Sequence, residues 1–151
     1  MMVMALDPGT RRIGVAVSDP RASFARPLEP IEVRGDGGHL RAIAAAAAER
    51  SVERIVVGLP LRLDGTEGPA AKAARELAAA VRRATGRPVE LFDERLTTVQ
   101  AERGLIGRGM RREKRRERID SAAAALLLEA WLEARRGERG DGEEETTDEH
   151  R

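Results

Sequence analysis

The chain has 151 residues, 41% hydrophobic and 35% charged, which suits one soluble domain with a solvated surface. It has no cysteine and only two histidines, so disulfides and thiolate sites are excluded and an imidazole triad is starved of ligands; a catalytic metal would be held by oxygen, which favours Mg²⁺ or Mn²⁺. The formal net charge of +1 hides a segment, Glu138–Arg151, that carries −5, so the remainder carries +6, a sign that attracts polyanions.

No stretch approaches the roughly 20 apolar residues of a membrane span, and residues 1–10 lack a signal-peptide pattern, so a cytoplasmic protein without membrane contact is expected. Strand-length apolar runs occur at Met2–Leu6 and Ile13–Val17, joined by a short turn that suggests a hairpin, and Pro27–Val33 alternates loosely as a further strand. Leu40, Ile43, Ala44 and Ala47 mark one face of a helix ending near Arg50. Ile55–Val57 reads as a strand. A second helix opens at Gly68-Pro69, carries Ala70, Ala73, Leu77 and Val81 on one stripe, and stops at Gly86. Val89–Phe92 is a weaker strand. Thr97 and Gln100 form a capping box for a helix to about Ile106, and the last helix spans Ile119–Arg135. This order predicts an α/β domain over 1–137, with a central mixed five-stranded sheet flanked by helices, followed by a disordered acidic tail at 138–151.

Acids from three distant parts of the chain stand at the edges of apolar elements. Asp7 follows Val3–Leu6, where a carboxylate is projected at the carboxyl edge of the sheet, although Asp-Pro-Gly is also good turn chemistry. Asp93 and Glu94 follow the fourth apolar run. Neighbouring residues point to opposite sides of a strand, so at most one faces the Asp7 site, and both also suit the start of the next helix. Asp120 shares a helical face with Ala123, Ala124, Leu127 and Trp131, a core face on which a carboxylate needs a cation, donors or a capping role. Carboxylates that converge from distant parts of a chain, without sulfur or imidazole, can hold two divalent ions that clamp the attacking and leaving oxygens of a phosphodiester.

Four stretches resemble motifs of the YqgF family of pre-16S ribosomal RNA nucleases, which is Holliday junction resolvase-like. They are Leu6-Asp7-Pro8-Gly9-Thr10-Arg11-Arg12-Ile13-Gly14 with the run to Asp19, Val57-Gly58-Leu59-Pro60 with Asp64–Gly68, Asp93-Glu94-Arg95-Leu96-Thr97-Thr98, and Ile119-Asp120-Ser121-Ala122-Ala123-Ala124. Their order and spacing agree from Met2 to about Arg136. The resemblance implies an RNase H-like fold with Asp7, Glu94 and Asp120 as catalytic and metal-binding acids. It implies trimming of the 5′ end of a 16S precursor, or resolution of branched DNA. Asp93 is left without a role.

Candidate phosphate contacts are Thr10, Arg11 and Arg12 beside Asp7, Arg62 in the Leu61–Gly68 loop, Arg95, and Thr98 at a helix start. Arg11 and Arg12 also suit a hairpin turn. Gly58-Leu59-Pro60 reads either as the site floor or as an ordinary loop. Arg108–Arg118 carries +5 and contributes Arg111, Arg112, Arg115 and Arg116 as the main electrostatic contact, unless it is simply a solvated helix face. With 2% aromatic residues, recognition should run through phosphates and shape instead of base stacking. The expected partners are nucleic acid (pre-rRNA or branched DNA) and the ribosomal subunit, with the protein a monomer or weak homodimer. Two readings compete with the nuclease. Asp7-Pro8-Gly9-Thr10 also resembles the phosphate hairpin of actin-like and sugar-kinase ATPases, which close two domains around a cleft whereas this length suits one. A catalytically silent RNA- or ribosome-binding protein would keep the fold alone.

Overall fold

The computed structural model describes residues 1–96 and 121–138. Its strands are β1 (Val3–Asp7), β2 (Arg12–Ser18), β3 (Ala25–Glu32), β4 (Arg54–Leu59) and β5 (Val89–Asp93). Its helices are α1 (Gly38–Glu49), α2 (Pro69–Thr85) and α3 (residues 121–138), and a single 3-10 turn, Glu94–Leu96, follows β5. The sheet order is β3-β2-β1-β4-β5. β1–β2 and β2–β3 pair antiparallel, whereas β1–β4 and β4–β5 pair parallel. The mixed five-stranded sheet expected from the apolar runs is therefore present. The capping box at Thr97, the helix to Ile106 and the acidic segment from residue 139 lie outside the described residues.

β1 is central and covered on both faces, which is why its sequence is apolar without alternation. Val3, Met4, Ala5 and Leu6 are fully buried. Met4 and Leu6 pack with Ile55, Val57, α1 and α2. Val3 and Ala5 pack on the other face with Ala16, Val56 and α3. Small side chains on both partners, Ala5 and Ala16 below and Ala123 and Ala124 above, let α3 lie close to the sheet.

α2 starts at Gly68 with Pro69 in its first turn and ends at Gly86, whose φ of 69° is the left-handed conformation of a glycine stop. Its buried stripe is Ala71, Ala74, Ala78 and Val81, and Ala70 and Ala73 are exposed. Val81 is buried and Leu77 packs against the core as expected, but in the first two turns the stripe is shifted by one residue, from Ala70 and Ala73 to Ala71 and Ala74: alanines occupy several faces there, so their spacing alone does not choose one. In α1, Ile43 and Ala47 are buried as expected.

α3 crosses the sheet. Ser121 Oγ donates to the Leu28 carbonyl of β3 at its start, and Trp131 Nε1 donates to Glu90 of β5 at 2.8 Å. Arg54 Nη1 also donates to Glu90, at 3.1 Å. Ala123, Ala124, Leu127 and Trp131, the face that Asp120 shares by helical spacing, are all buried. The helix continues through residue 138 instead of stopping before Gly137.

Candidate active site

β1, β4 and β5 run parallel, so their carboxyl ends lie on one edge of the sheet. From β1 the chain moves outward to β2 and β3, then returns to place β4 on the other side of β1. That reversal lies between β1 and β4, and open α/β sheets bind ligands in the crevice outside such a point.

Asp7 is the last residue of β1 and only 3% exposed; Glu94 follows β5 and is 4% exposed. In the alternation of β1, Asp7 belongs with Val3 and Ala5 and projects on the α3 face. One step past the Leu6–Val57 pair, the register sets Asp7 alongside Gly58, which itself pairs with Phe92. A Cβ built on Gly58 would lie 2.6 Å from Glu94 Oε1 and 3.2 Å from Leu127 Cδ2 of α3. The Glu94 carboxylate therefore occupies the space that any side chain at position 58 would fill. The Asp7 strand is one interstrand spacing away, about 4.8 Å. Gly58 is the floor of a buried acidic niche that Asp7 and Glu94 flank beneath α3.

Glu94, and not Asp93, is the acid on this face. Asp93 instead receives the Arg95 backbone N–H at 2.9 Å and a two-pronged guanidinium contact, Nη2 to Oδ2 at 2.8 Å and Nε to Oδ1 at 3.1 Å. The Arg95 hydrogen bonds hold the Asp93 carboxyl below its ordinary range and push the Arg95 guanidinium up. Among the described residues no group of three acids and histidines comes together, and Asp120 lies outside them. Ser121, next to it in sequence, is anchored on Leu28, which pairs with Val15, the β2 neighbour of Leu6.

Thr10 and Arg11 are exposed in the β1–β2 turn beside Asp7, and Arg12 is half-buried at the start of β2. Arg12 Nη1 is enclosed with no acceptor among the described residues. Gly9 makes the turn possible, because a Cβ there would lie within bonding-clash distance of the Arg12 carbonyl. Arg62 is exposed, and its guanidinium lies against Gly68 at the start of α2, where helix amides favour anions. Arg95 gives Nε and Nη2 to Asp93, and its Nη1 reaches the Leu63 carbonyl at 3.5 Å. Thr98, Arg111, Arg112, Arg115 and Arg116 lie outside the described residues. A groove of about 450 Å³ lined by Arg12, Glu29, Arg34 and His39 opens on the α1 side of β3, away from the two acids. Sequence reasoning missed the Asp93–Arg95 pairing; the Asp-x-Arg spacing at a strand end was its one visible signal. It also left open the role of Gly58, which depends on Glu94, a residue 36 positions later.

A sheet of this order, with carboxylates at its reversal point, defines an RNase H-like α/β protein. Solved structures agree on the fold: T. thermophilus RuvC in complex with a Holliday junction substrate superposes with a TM-score of 0.56 at 20% identity, covering 91% of this chain and 96% of that one. The fowlpox virus Holliday junction resolvase gives 0.54 at 10% identity, covering 89% and 99%. The family model described as "RuvX: Holliday junction resolvase" matches residues 1–134. A protein of Anaeromyxobacter dehalogenans named "Putative pre-16S rRNA nuclease" is 45% identical over 135 residues, 89% of this chain and 98% of that protein. The chain belongs to the RuvX/YqgF family.

Proposed function

We propose that this protein is a metal-dependent endonuclease that hydrolyses phosphodiester bonds in structured nucleic acid, its substrate the 5′ region of the 16S ribosomal RNA precursor. The observation that carries the reading is the buried pair Asp7 and Glu94 at the sheet's reversal point, with Gly58 clearing room for the second carboxylate. The precursor RNA is taken from the name carried by relatives of about 45% identity that align along nearly their whole length, and its 5′ region from the motif resemblance.

The donor set fits a hard divalent ion. Two carboxylates face one niche, the chain has no cysteine, and oxygen ligands suit Mg²⁺ or Mn²⁺. Asp7, Glu94 and Asp120 would hold it. When bound, a divalent ion acidifies the attacking water and offsets charge on the leaving oxygen. The residues of the chain do the rest. The two carboxylates would hold the ion in place, and the apolar packing of Leu127 and Phe92 restricts water around them. Thr10, Arg11 and Arg62 line the approach with phosphate donors, and Arg111, Arg112, Arg115 and Arg116 add long-range attraction; Arg12, which lines the groove on the α1 side, does not join them.

The family's description as a junction resolvase favours one second reading, cleavage of branched DNA. End-labelled pre-16S RNA and a four-way DNA junction, each incubated with Mn²⁺ and either wild type or Asp7→Asn, decide the matter. The proposal expects RNA scission that Asp7→Asn abolishes. Junction cleavage alone supports the second reading. Tight RNA binding with no scission of either substrate, or ATP hydrolysis in its place, overturns both.

A further inference from the structure

Asp93 and Arg95 flank Glu94 but turn away from its niche, and their contacts lead to another element. The Arg95 guanidinium bridges from the Asp93 carboxylate to the loop after β4, reaching the Leu63 carbonyl and lying against Gly65, where a Cβ would come within 3.3 Å of Nη1. Gly65 has a φ of 88°, so a side chain there is disfavoured by the backbone as well as by the guanidinium. The loop is internally tied. Arg62 N–H donates to the Thr66 carbonyl at 2.9 Å and Gly65 N–H to the Arg62 carbonyl at 2.8 Å. Asp64 accepts from the Thr66 hydroxyl at 2.7 Å and from its backbone N–H at 3.0 Å. Arg75 of α2 also donates to Glu67 of the loop at 2.7 Å, and Arg95 is what joins the loop to the end of β5.

We propose that Asp93 and Arg95 form a positioning couple that latches the 61–68 loop to the strand end carrying Glu94, and so sets where Arg62 and the exposed Leu63 meet the nucleic acid. Leu63 is 90% exposed, so the latched loop presents an apolar tip beside its arginine. A bidentate arginine–carboxylate pair supplies direction that a lysine would not. Asp93 acts twice in this scheme: its Oδ1 receives the Arg95 backbone N–H and shapes the turn bearing Glu94, while the two-pronged pair orients the guanidinium whose Nη1 meets the Leu63 carbonyl at 3.5 Å. Arg95 is thereby a loop clamp more than a phosphate ligand. The inference rests on the proposed nuclease reading for its kinetic consequence alone.

The test uses the full chain as wild type, Asp93→Asn, Arg95→Gln and the double variant. Limited trypsin digestion, read by mass spectrometry at the Arg62–Leu63 bond, reports release of the loop. Both single variants should speed that cleavage about fivefold, the double no further, because partners in one interaction are not additive. KM for labelled pre-16S RNA should rise by a similar factor with kcat within about twofold, the pattern of lost uniform binding. Unchanged digestion in either single variant, or additive effects in the double, overturns the latch. A wild type that fails to cut RNA while the variants still digest faster sinks the nuclease reading and leaves the latch standing.

Discussion

Alanine at position 58 would place one methyl group where the Glu94 carboxylate now sits. The new Cβ would lie 2.6 Å from Glu94 Oε1 and 3.2 Å from both Glu94 Cγ and Leu127 Cδ2. The backbone gives no reason to keep glycine, since Gly58 is absent from the positive-φ residues. Replacing glycine by alanine at such a position stabilises by about 0.4–1 kcal/mol through the unfolded chain. Overpacking a core costs about 1–3 kcal/mol, but here the nearest atom is the end of a rotatable side chain, and Leu127 need yield only a few tenths of an ångström. The two effects nearly cancel, so Gly58→Ala should melt within about 4 °C of wild type. Activity should not be spared. Glu94 must swing by the order of 1 Å, and a misplacement of that size costs about 100-fold in rate. Calorimetry and single-turnover cleavage of labelled precursor RNA measure the two quantities on one preparation. A variant that melts normally and cuts at the wild-type rate would show that Glu94 is not needed where the structure puts it.

Asp7→Asn and Glu94→Gln should each lower single-turnover cleavage by at least about 100-fold with unchanged far-ultraviolet circular dichroism; activity within tenfold of wild type would remove either acid from the site. Neutralising Arg111, Arg112, Arg115 and Arg116 together should flatten the log–log salt dependence of RNA binding by about 0.7–0.9 per lost phosphate contact, and an unchanged slope would mark the run as bare surface. Trp131→Phe deletes a donor to Glu90 and should cost about 1 kcal/mol in urea unfolding; a loss under ~0.3 kcal/mol would mean that Arg54 alone satisfies that carboxylate. Asp19 accepts the Phe24, Ser23 and Arg21 backbone N–H groups of the β2–β3 connection, and the Phe24 bond above all lowers its pKa. A lowered acid stabilises the folded state above its ordinary pKa, and that contribution is lost as pH falls through the lowered value. The Phe24 amide resonance should therefore titrate with a midpoint below the ordinary 3.8, whereas a midpoint at or above 3.8 contradicts the bonding.

The sheet was legible because its strands are buried in different ways. Val3–Leu6 and Ile55–Val57 are covered on both faces and read as unbroken apolar runs, so their existence and burial follow from composition. Asp7 was legible for the same reason, as the first charge after such a run. The stripe of α2 was legible at Leu77 and Val81 but not in its first turns, because alanine at 70, 71, 73 and 74 offers several faces of equal apolarity and only the sheet decides among them. Glu94 was separable from Asp93 by alternation only in part, since the 3-10 turn starts at Glu94 and strand parity ends there. The functions of Gly58, Arg95 and Ser121 were beyond local reading. Each is defined by a contact with a distant residue: Gly58 with Glu94, Arg95 with the Leu63 carbonyl, Ser121 with the Leu28 carbonyl.

Anomalous diffraction from crystals grown with Mn²⁺ tests the account at its centre. One or two manganese peaks above Gly58 are predicted, within about 2.0–2.3 Å of carboxylate oxygens from Asp7, Glu94 and Asp120 together. Manganese bound elsewhere, or an Asp120 carboxylate turned out of reach of any ion that Asp7 and Glu94 share, would contradict it.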